Sequence, residues 1–230
     1  MRVLIVIPAY NEAENIVRVI QELRTMAPSY DYVIVNDGSS DETAVLCRRN
    51  GYHLIDLPVN LGLTGAVQTG VRYALEHGYD AALQLDADGQ HDPRYVAEMA
   101  RVMEEKDADI VIASRFVTEK KPHTLRMLGS RVIAGAIRLT TGRRLTDPTS
   151  GMRLWNRRVM AQLVNRRSFR PEPDTVAFLL RQGARVEEIQ VTMRERVAGE
   201  SYLSPAKAMK YMVQTCASIV LIQWVLKKES

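Results

Sequence analysis

Cysteine is scarce here: Cys47 and Cys216 are the only two, far apart and without ligand-type spacing. That excludes a disulfide framework and a cysteine zinc site, and makes a reducing cytosol the expected compartment. Long apolar runs are missing too. No stretch reaches the roughly eighteen apolar residues of a membrane-spanning helix. The early run Val3–Ile7 is interrupted by Pro8 too soon for a signal peptide. Without repeats, low-complexity tracts or linkers, the 230 residues read as one continuous domain. Aromatic residues are only 6% of the chain, and none interleaves the basic stretch described next, which argues against nucleic acid as a partner. The net charge is a mild +4. Its distribution says more: Lys120, Lys121, Arg126, Arg131, Arg138, Arg143 and Arg144 crowd one stretch with only Glu119 as a nearby acid. Such a stretch is either a solvated basic face or a site for an anion or a membrane surface.

What is present is a rhythm. Short β-rich runs at Val3–Ile7, Tyr32–Val35, His53–Leu57, Ala82–Leu85 and Ile110–Ala113 alternate with helical patterns at Glu12–Met26, Asp41–Arg49, Thr64–His77 and Pro93–Glu105. This alternation predicts an α/β fold of parallel crossover units around a buried sheet. In such sheets the loops at the carboxyl ends of the strands form the ligand crevice. Polar clusters stand at those ends: Tyr10-Asn11-Glu12 after the first strand, Asn36-Asp37-Gly38 after the second, Asp86 to Asp92 after the fourth. The second half predicts a helix over Thr124–Leu139, a Gly/Pro/Thr turn over Thr140–Gly151, helices near Arg157–Asn165 and Asp174–Gln182, a strand near Val186–Thr192, and a last helix over Pro205–Lys228.

Asp86 and Asp88, two residues apart at a strand terminus, project to the same side. Close carboxylates repel unless a cation intervenes, and hard divalent ions take oxygen ligands. An open Asp-x-Asp site suits Mg2+ or Mn2+ bridging the protein to a diphosphate. Asp92, before Pro93, suits a helix N-cap. Asp37 is placed to accept hydrogen bonds from a ribose hydroxyl or a base N–H, or else to serve turn chemistry. Asp41 reads as structural, capping the helix that follows.

Taken in order, Pro8-Ala9-Tyr10-Asn11-Glu12-Ala13-Glu14-Asn15, Asn36-Asp37-Gly38-Ser39-Ser40-Asp41 and Leu85-Asp86-Ala87-Asp88-Gly89-Gln90 resemble the family-two inverting glycosyltransferases of the GT-A fold, in particular the dolichyl/polyprenyl-phosphate hexose synthases. Ser114-Arg115, Gly129-Ser130-Arg131, Asp147-Pro148-Thr149-Ser150-Gly151-Met152-Arg153 and Glu195 to Ser201 extend the likeness over about residues 2 to 203. The resemblance implies a mostly parallel central sheet flanked by helices. It implies that Pro8, Tyr10, Glu12 and Asp37 hold the nucleoside, and that Asp86, Asp88 and Gln90 hold the metal and diphosphate. Arg196 matches an arginine that pairs with the donor diphosphate, and Arg115 and Arg131 match arginines that grip an acceptor phosphate. Asp147 would lie near the transferred sugar, where related sugar-acceptor enzymes place a base. Arg153 and Asp174 are equally readable as fold-stabilising groups. The family's usual Gly-Glu-Ser-Lys is here Gly199-Glu200-Ser201-Tyr202, which removes one cation from the expected diphosphate clamp. The paired transmembrane helices that some bacterial relatives append are not expected within these residues.

A sugar hydroxyl needs a general base to attack an anomeric carbon, whereas a lipid monophosphate, with a second pKa near 6, is already largely dianionic at neutral pH. It needs cations instead, and arginine's planar fork suits that task. The expected reaction is therefore transfer of a hexose from a UDP-, GDP- or dTDP-sugar to a polyprenyl phosphate. The alternative acceptor is a growing cell-surface polysaccharide or other glycan, and a catalytically idle nucleotide-binding module is a more distant rival. Residues 1–204 are expected to form the catalytic domain. The expected location is cytoplasmic, peripheral at the inner face of the cell membrane. The 205–230 segment, with Met209, Met212, Val213, Cys216, Ile219, Val220 and Leu226 on one face, is either a core-packing helix or an amphipathic contact for a membrane surface or small membrane-protein partner.

Overall fold

The computed structural model describes residues 1–122, 124–165, 170–194 and 205–225. Its centre is a seven-stranded sheet in the order β3-β2-β1-β4-β6-β5-β7. The strands are β1 (Val3–Ala9), β2 (Asp31–Asn36), β3 (Leu54–Asp56), β4 (Ala81–Gln84), β5 (Ile110–Ser114), β6 (Arg153–Asn156) and β7 (Val186–Gln190). Helices α1 (Ile16–Met26), α2 (Thr43–Arg49), α3 (Gly62–Glu76), α4 (Val96–Lys106), α5 (Leu125–Thr141), α6 (Arg157–Asn165), α7 (Pro173–Arg181) and α8 (Pro205–Val225) cover its faces. Every residue of β1 is buried, as its unbroken apolar run requires of a strand covered on both sides. Successive side chains point to opposite faces. Val3, Ile5 and Ile7 join the core with α1 and α4, while Leu4 and Val6 join the core with α3 and α5 to α7.

The expected α/β sheet forms, with local differences from the sequence reading. A seventh strand, β6, runs antiparallel between β4 and β5, in a sheet otherwise parallel. Its four residues, Arg153-Leu154-Trp155-Asn156, are too few for a periodic signal and follow a turn directly. The first helix starts at Ile16, later than Glu12. Residues 12 to 15 form a turn in which Glu12 C=O accepts from the N–H groups of Asn15 and Ile16, both at 2.9 Å. A 3-10 turn, Pro93–Tyr95, leads into α4, and Asp92 caps it, its carboxylate accepting from Arg94 N–H at 3.0 Å.

The chain leaves β1 toward β2 and β3, then returns to place β4 on the other side of β1. That reversal opens a crevice at the carboxyl ends of β1 and β4. α8 lies against α5 and α7, with Thr215 and Ile219 buried and Ser218 Oγ donating to Asp174 Oδ2 at 2.6 Å. No described helix is long and apolar enough to cross a membrane.

Candidate active site

A cavity of about 500 Å³ fills the crevice, lined by Pro8, Ala9, Tyr10, Glu12, Asp37, Asn60, Gly62, Leu63, Ala66, Asp86, Ala87 and Asp88. Six of the residues singled out in the sequence, Pro8, Tyr10, Glu12, Asp37, Asp86 and Asp88, thus meet at one wall. The loops carrying them are cross-tied. Asp37 N–H donates to Ala9 C=O at 2.8 Å, and Asn11, in the left-handed region at φ 55°, accepts from Ser40 N–H at 2.9 Å. Asp41 fastens both loops: Oδ1 accepts from Thr43 N–H and Oγ1–H, and Oδ2 accepts from Ala13 N–H. Burial pushes the Asp41 pKa up, but these hydrogen bonds outweigh it and hold the carboxyl below its ordinary range. Asp41 is structural.

Asp37 is buried and accepts from Leu61 N–H at 2.7 Å through Oδ1, which draws the β3–α3 loop over the cavity. Gly38 makes that approach possible. At φ +65° it is left-handed, and a Cβ there would stand 2.7 Å from Asn60 N and from Val59 C. Asn60, Gly62 and Leu63 follow the third strand, whose carboxyl end the same topological rule assigns to the crevice. Only the weakness of their local polar signal hid them.

The Asp86–Gln90 loop is braced from within. Asp86 Oδ1 accepts from Gln84 Nε2 at 2.9 Å, and Asp86 N–H donates to Nδ1 of the buried His91 at 2.9 Å. That contact assigns the proton to His91 Nε2, which lies 3.7 Å from Asp86 Oδ2. Asp88 is largely buried and accepts from Gln90 N–H at 3.0 Å. Gln90 exchanges contacts with Arg194: Arg194 N–H donates to Gln90 C=O at 3.0 Å, and Gln90 Nε2 sits 3.5 Å from Arg194 C=O. Arg194 in turn pairs with Glu22 at 2.6 Å and Asp92 at 3.0 Å. No group of three or more His, Cys, Asp or Glu forms a closed metal cage among the described residues. Two carboxylates bordering one cavity, one of them buried, instead fit an ion that completes its shell with substrate phosphate oxygens and water. Arg196 lies outside the described residues.

A second cluster adjoins the first. Arg115 grips Asp147 with both arms, Nε to Oδ2 at 2.7 Å and Nη2 to Oδ1 at 3.0 Å, and Asp147 has no exposed surface. Thr149 Oγ1 donates to Asp147 Oδ1 at 3.1 Å, and Glu188 accepts the backbone N–H groups of Thr146 and Asp147. Lys121 Nζ donates to Ser130 Oγ at 2.8 Å, which lies 3.2 Å from Thr149 Oγ1. Arg131, exposed, donates to Lys121 C=O at 2.7 Å. Burial pulls the Lys121 pKa below the ordinary lysine range, against the opposing influence of Asp147. Arg153 is wholly buried and staples the Asp147–Gly151 loop, Nε donating to Ser150 C=O at 2.8 Å and Nη2 to Pro148 C=O at 2.7 Å. Gly151 closes the join between the clusters, since a Cβ there would stand 3.0 Å from Asp86 Oδ2 and 3.4 Å from His91 Cε1. Lys121, Ser130, Thr149, Glu188 and His91 had not been singled out as site residues. Lys121 was visible only as a member of the basic stretch, Ser130 and Thr149 only as members of motifs, and His91 only within the polar cluster of Asp86 to Asp92, while Glu188 carried no local signal.

Comparison with known proteins agrees with this geometry. The pattern of the family described as Glycosyl transferase family 2 matches residues 4–164. An undecaprenyl-phosphate mannosyltransferase of Micrococcus luteus is 33% identical over 219 residues, covering 89% of this chain and 88% of the relative. A polyprenol monophosphomannose synthase of Mycolicibacterium smegmatis is 28% identical over 226 residues, covering 92% and 84%. Among solved structures, glucosyl-3-phosphoglycerate synthase from Mycobacterium tuberculosis, crystallised with Mn2+, UDP-glucose and phosphoglyceric acid, superposes with a TM-score of 0.72 at 17% identity, covering 95% of this chain and 79% of that one. The shared architecture is that of the GT-A fold.

Proposed function

Because the chain belongs to glycosyl transferase family 2 and is a glycosyltransferase, we propose that it moves a hexose from a nucleotide-diphosphate sugar to a polyprenyl phosphate, with inversion at the anomeric carbon. The relatives named for undecaprenyl-phosphate and polyprenol acceptors support the acceptor class. The observation that carries the reading is the cation cluster of Arg115, Lys121 and Arg131 with the hydroxyls of Ser130 and Thr149, joined to the donor cavity by the Asp147–Gly151 loop. It is built for an anion.

In this reading Asp37 and the β1 loop, with Pro8, Tyr10 and Glu12, hold the nucleoside, while Asp86 and Asp88 face the diphosphate. A divalent ion, Mg2+ or Mn2+, bound by Asp86 and Asp88 would offset the charge of the departing nucleoside diphosphate. Gln90 supports that loop through its backbone, and Arg196 retains the family's role as a diphosphate partner. Arg115, Lys121 and Arg131 orient the acceptor phosphate and screen its repulsion from the donor. Asp147 is fully buried and doubly paired, so it acts as the positioning partner of Arg115. A dianionic phosphate needs no base to attack. Residues 1–204 form the catalytic unit, and the segment after them supplies α8 (Pro205–Val225), which rests on it. Working on a membrane lipid places the protein at a membrane surface on the nucleotide-sugar side.

The test is donor turnover with and without a short-chain polyprenyl phosphate. Sugar release that depends on the lipid, with an acid-labile lipid phosphate as product, is expected. Donor consumption that ignores the lipid and follows an oligosaccharide acceptor would overturn the assignment.

A further inference from the structure

We propose that the outward faces of α5 and α8 form a docking surface for a bilayer bearing anionic lipid headgroups. On α5, Met127, Ser130, Ile133 and Ile137 are buried, while Leu128, Arg131, Val132, Arg138 and Leu139 are exposed. The exposed set recurs at helical spacing, so aliphatic and arginine side chains share one stripe. Leu139 is 85% exposed. Beyond the helix end, Arg143 and Arg144 are exposed as well. α8 packs beside this helix, and a Cβ on Gly129 of α5 would stand 2.7 Å from Met212 Sδ of α8. The outward residues of α8 include Lys210, Val213, Val220 and Leu221, with Leu221 63% exposed.

Neither helix contains a single Asp or Glu. A water-facing helix ordinarily mixes charges of both signs and keeps its large aliphatics inside. Among the described residues, the neighbouring exposed faces offer aliphatics and cations, with Gln214 as a neutral polar side chain and no acid. Aliphatic side chains gain by entering the boundary between headgroups and acyl chains, and arginines meet lipid phosphates with their stems laid along the apolar layer. A second copy of the same face would set arginine against arginine, which like-charge repulsion opposes. The described helices are not long and apolar enough to span the bilayer, so the contact lies in the plane of the surface. Ser130 and Arg131 of the cation cluster are on α5 itself, which brings a lipid phosphate to the acceptor site. That last clause rests on the proposed function, whereas the docking surface does not.

The experiment is flotation of the full chain with vesicles of equal parts phosphatidylcholine and phosphatidylglycerol, containing no polyprenyl phosphate, beside vesicles of phosphatidylcholine alone. Binding to the mixed vesicles is expected, weakening as salt rises. Arg138→Gln/Arg143→Gln/Arg144→Gln should lower partitioning on the order of a hundredfold, from about 1 kcal/mol per surface cation. Val132→Ser/Leu139→Ser should lower it by at least about tenfold. Retained nucleotide-sugar binding and an unchanged circular dichroism spectrum report folding of both variants. Equal binding to neutral vesicles, binding untouched by both sets of changes, or a dimer that Val132→Ser/Leu139→Ser dissolves without any vesicle binding would each overturn the proposal. A chain that turns over soluble short-chain polyprenyl phosphate without floating refutes only the docking surface. One that floats but never uses that acceptor refutes only the proposed function.

Discussion

Arg115 and Asp147 face each other across 32 residues of sequence as a two-point ion pair, at 2.7 and 3.0 Å, with the carboxylate wholly buried. Both belong to motifs that point to chemistry, yet the pairing divides their duties. The arginine keeps 21% of its side-chain surface exposed, as the proposed acceptor-phosphate role requires, while the aspartate is wholly taken up in pairing with it.

Asp147→Asn leaves the Arg115 fork with one weakened contact and its partly buried charge without an ionic partner. Loss of a buried pair costs about 3 kcal/mol of folding stability, and the misplaced Arg115 fork should lower kcat/KM for the acceptor roughly hundredfold. The expected signature is a raised acceptor KM with nucleotide-sugar affinity unchanged by calorimetry. Loss of kcat at constant acceptor KM would instead assign Asp147 to proton removal.

Asp88→Ala removes the buried member of the carboxylate pair. Turnover should fall by at least about a hundredfold, as expected when stabilisation of leaving-group charge is lost. Mn2+ binding measured by paramagnetic resonance in the presence of nucleoside diphosphate should weaken in parallel. Unchanged metal affinity in this variant would remove the proposed ion from the site.

His91 orients Asp86 through the backbone contact of 2.9 Å. His91→Phe keeps the ring volume and deletes the acceptor, so donor KM should rise about tenfold, the scale of one well-placed hydrogen bond. His91→Asn restores an acceptor and should recover part of the loss. Failure of rescue, with both variants equally poor in donor KM and in thermal stability, would reduce His91 to packing.

Asp109 ties three strands together at the far end of the sheet. Its carboxylate accepts from Arg185 N–H, Asn156 Nδ2 and the Arg158 guanidinium. Burial pushes its pKa up, but the hydrogen bonds from Arg185, Arg158 and Asn156 outweigh that and leave it lowered. A carboxyl lowered in the folded state contributes stability that is present above the unfolded value of about 3.9 and lost as pH falls through the folded value. Urea midpoints should therefore drop steeply on the acid side of pH 4. Asp109→Asn should cost about 2 kcal/mol at neutral pH and flatten that drop, and an unaltered acid limb would assign it to other carboxyls.

The wall of the donor cavity was legible in the sequence because each of its motifs is contiguous with the strand that aims it. Once β1, β2 and β4 are recognised, Tyr10, Asp37 and Asp86 fall at their carboxyl ends. The β6 strand was not legible, since four residues joining two distant strands leave no periodicity of their own. Nor was the contact of Gln90 with Arg194, which depends on a segment more than a hundred residues away.

Apart from β6, the order of strands and helices, the acidic loop after β4 and the basic stretch with Glu119 as its one nearby acid are properties of the sequence alone, since propensity, periodicity and charge act between near neighbours. The tertiary structure alone decided that Asp147 is a buried partner rather than an exposed carboxylate, that His91 and Gly151 enclose Asp86, and that Lys121 joins Ser130 and Thr149. These are facts of packing. Burial and pairing depend on which distant surfaces meet, and a one-dimensional pattern carries no record of that.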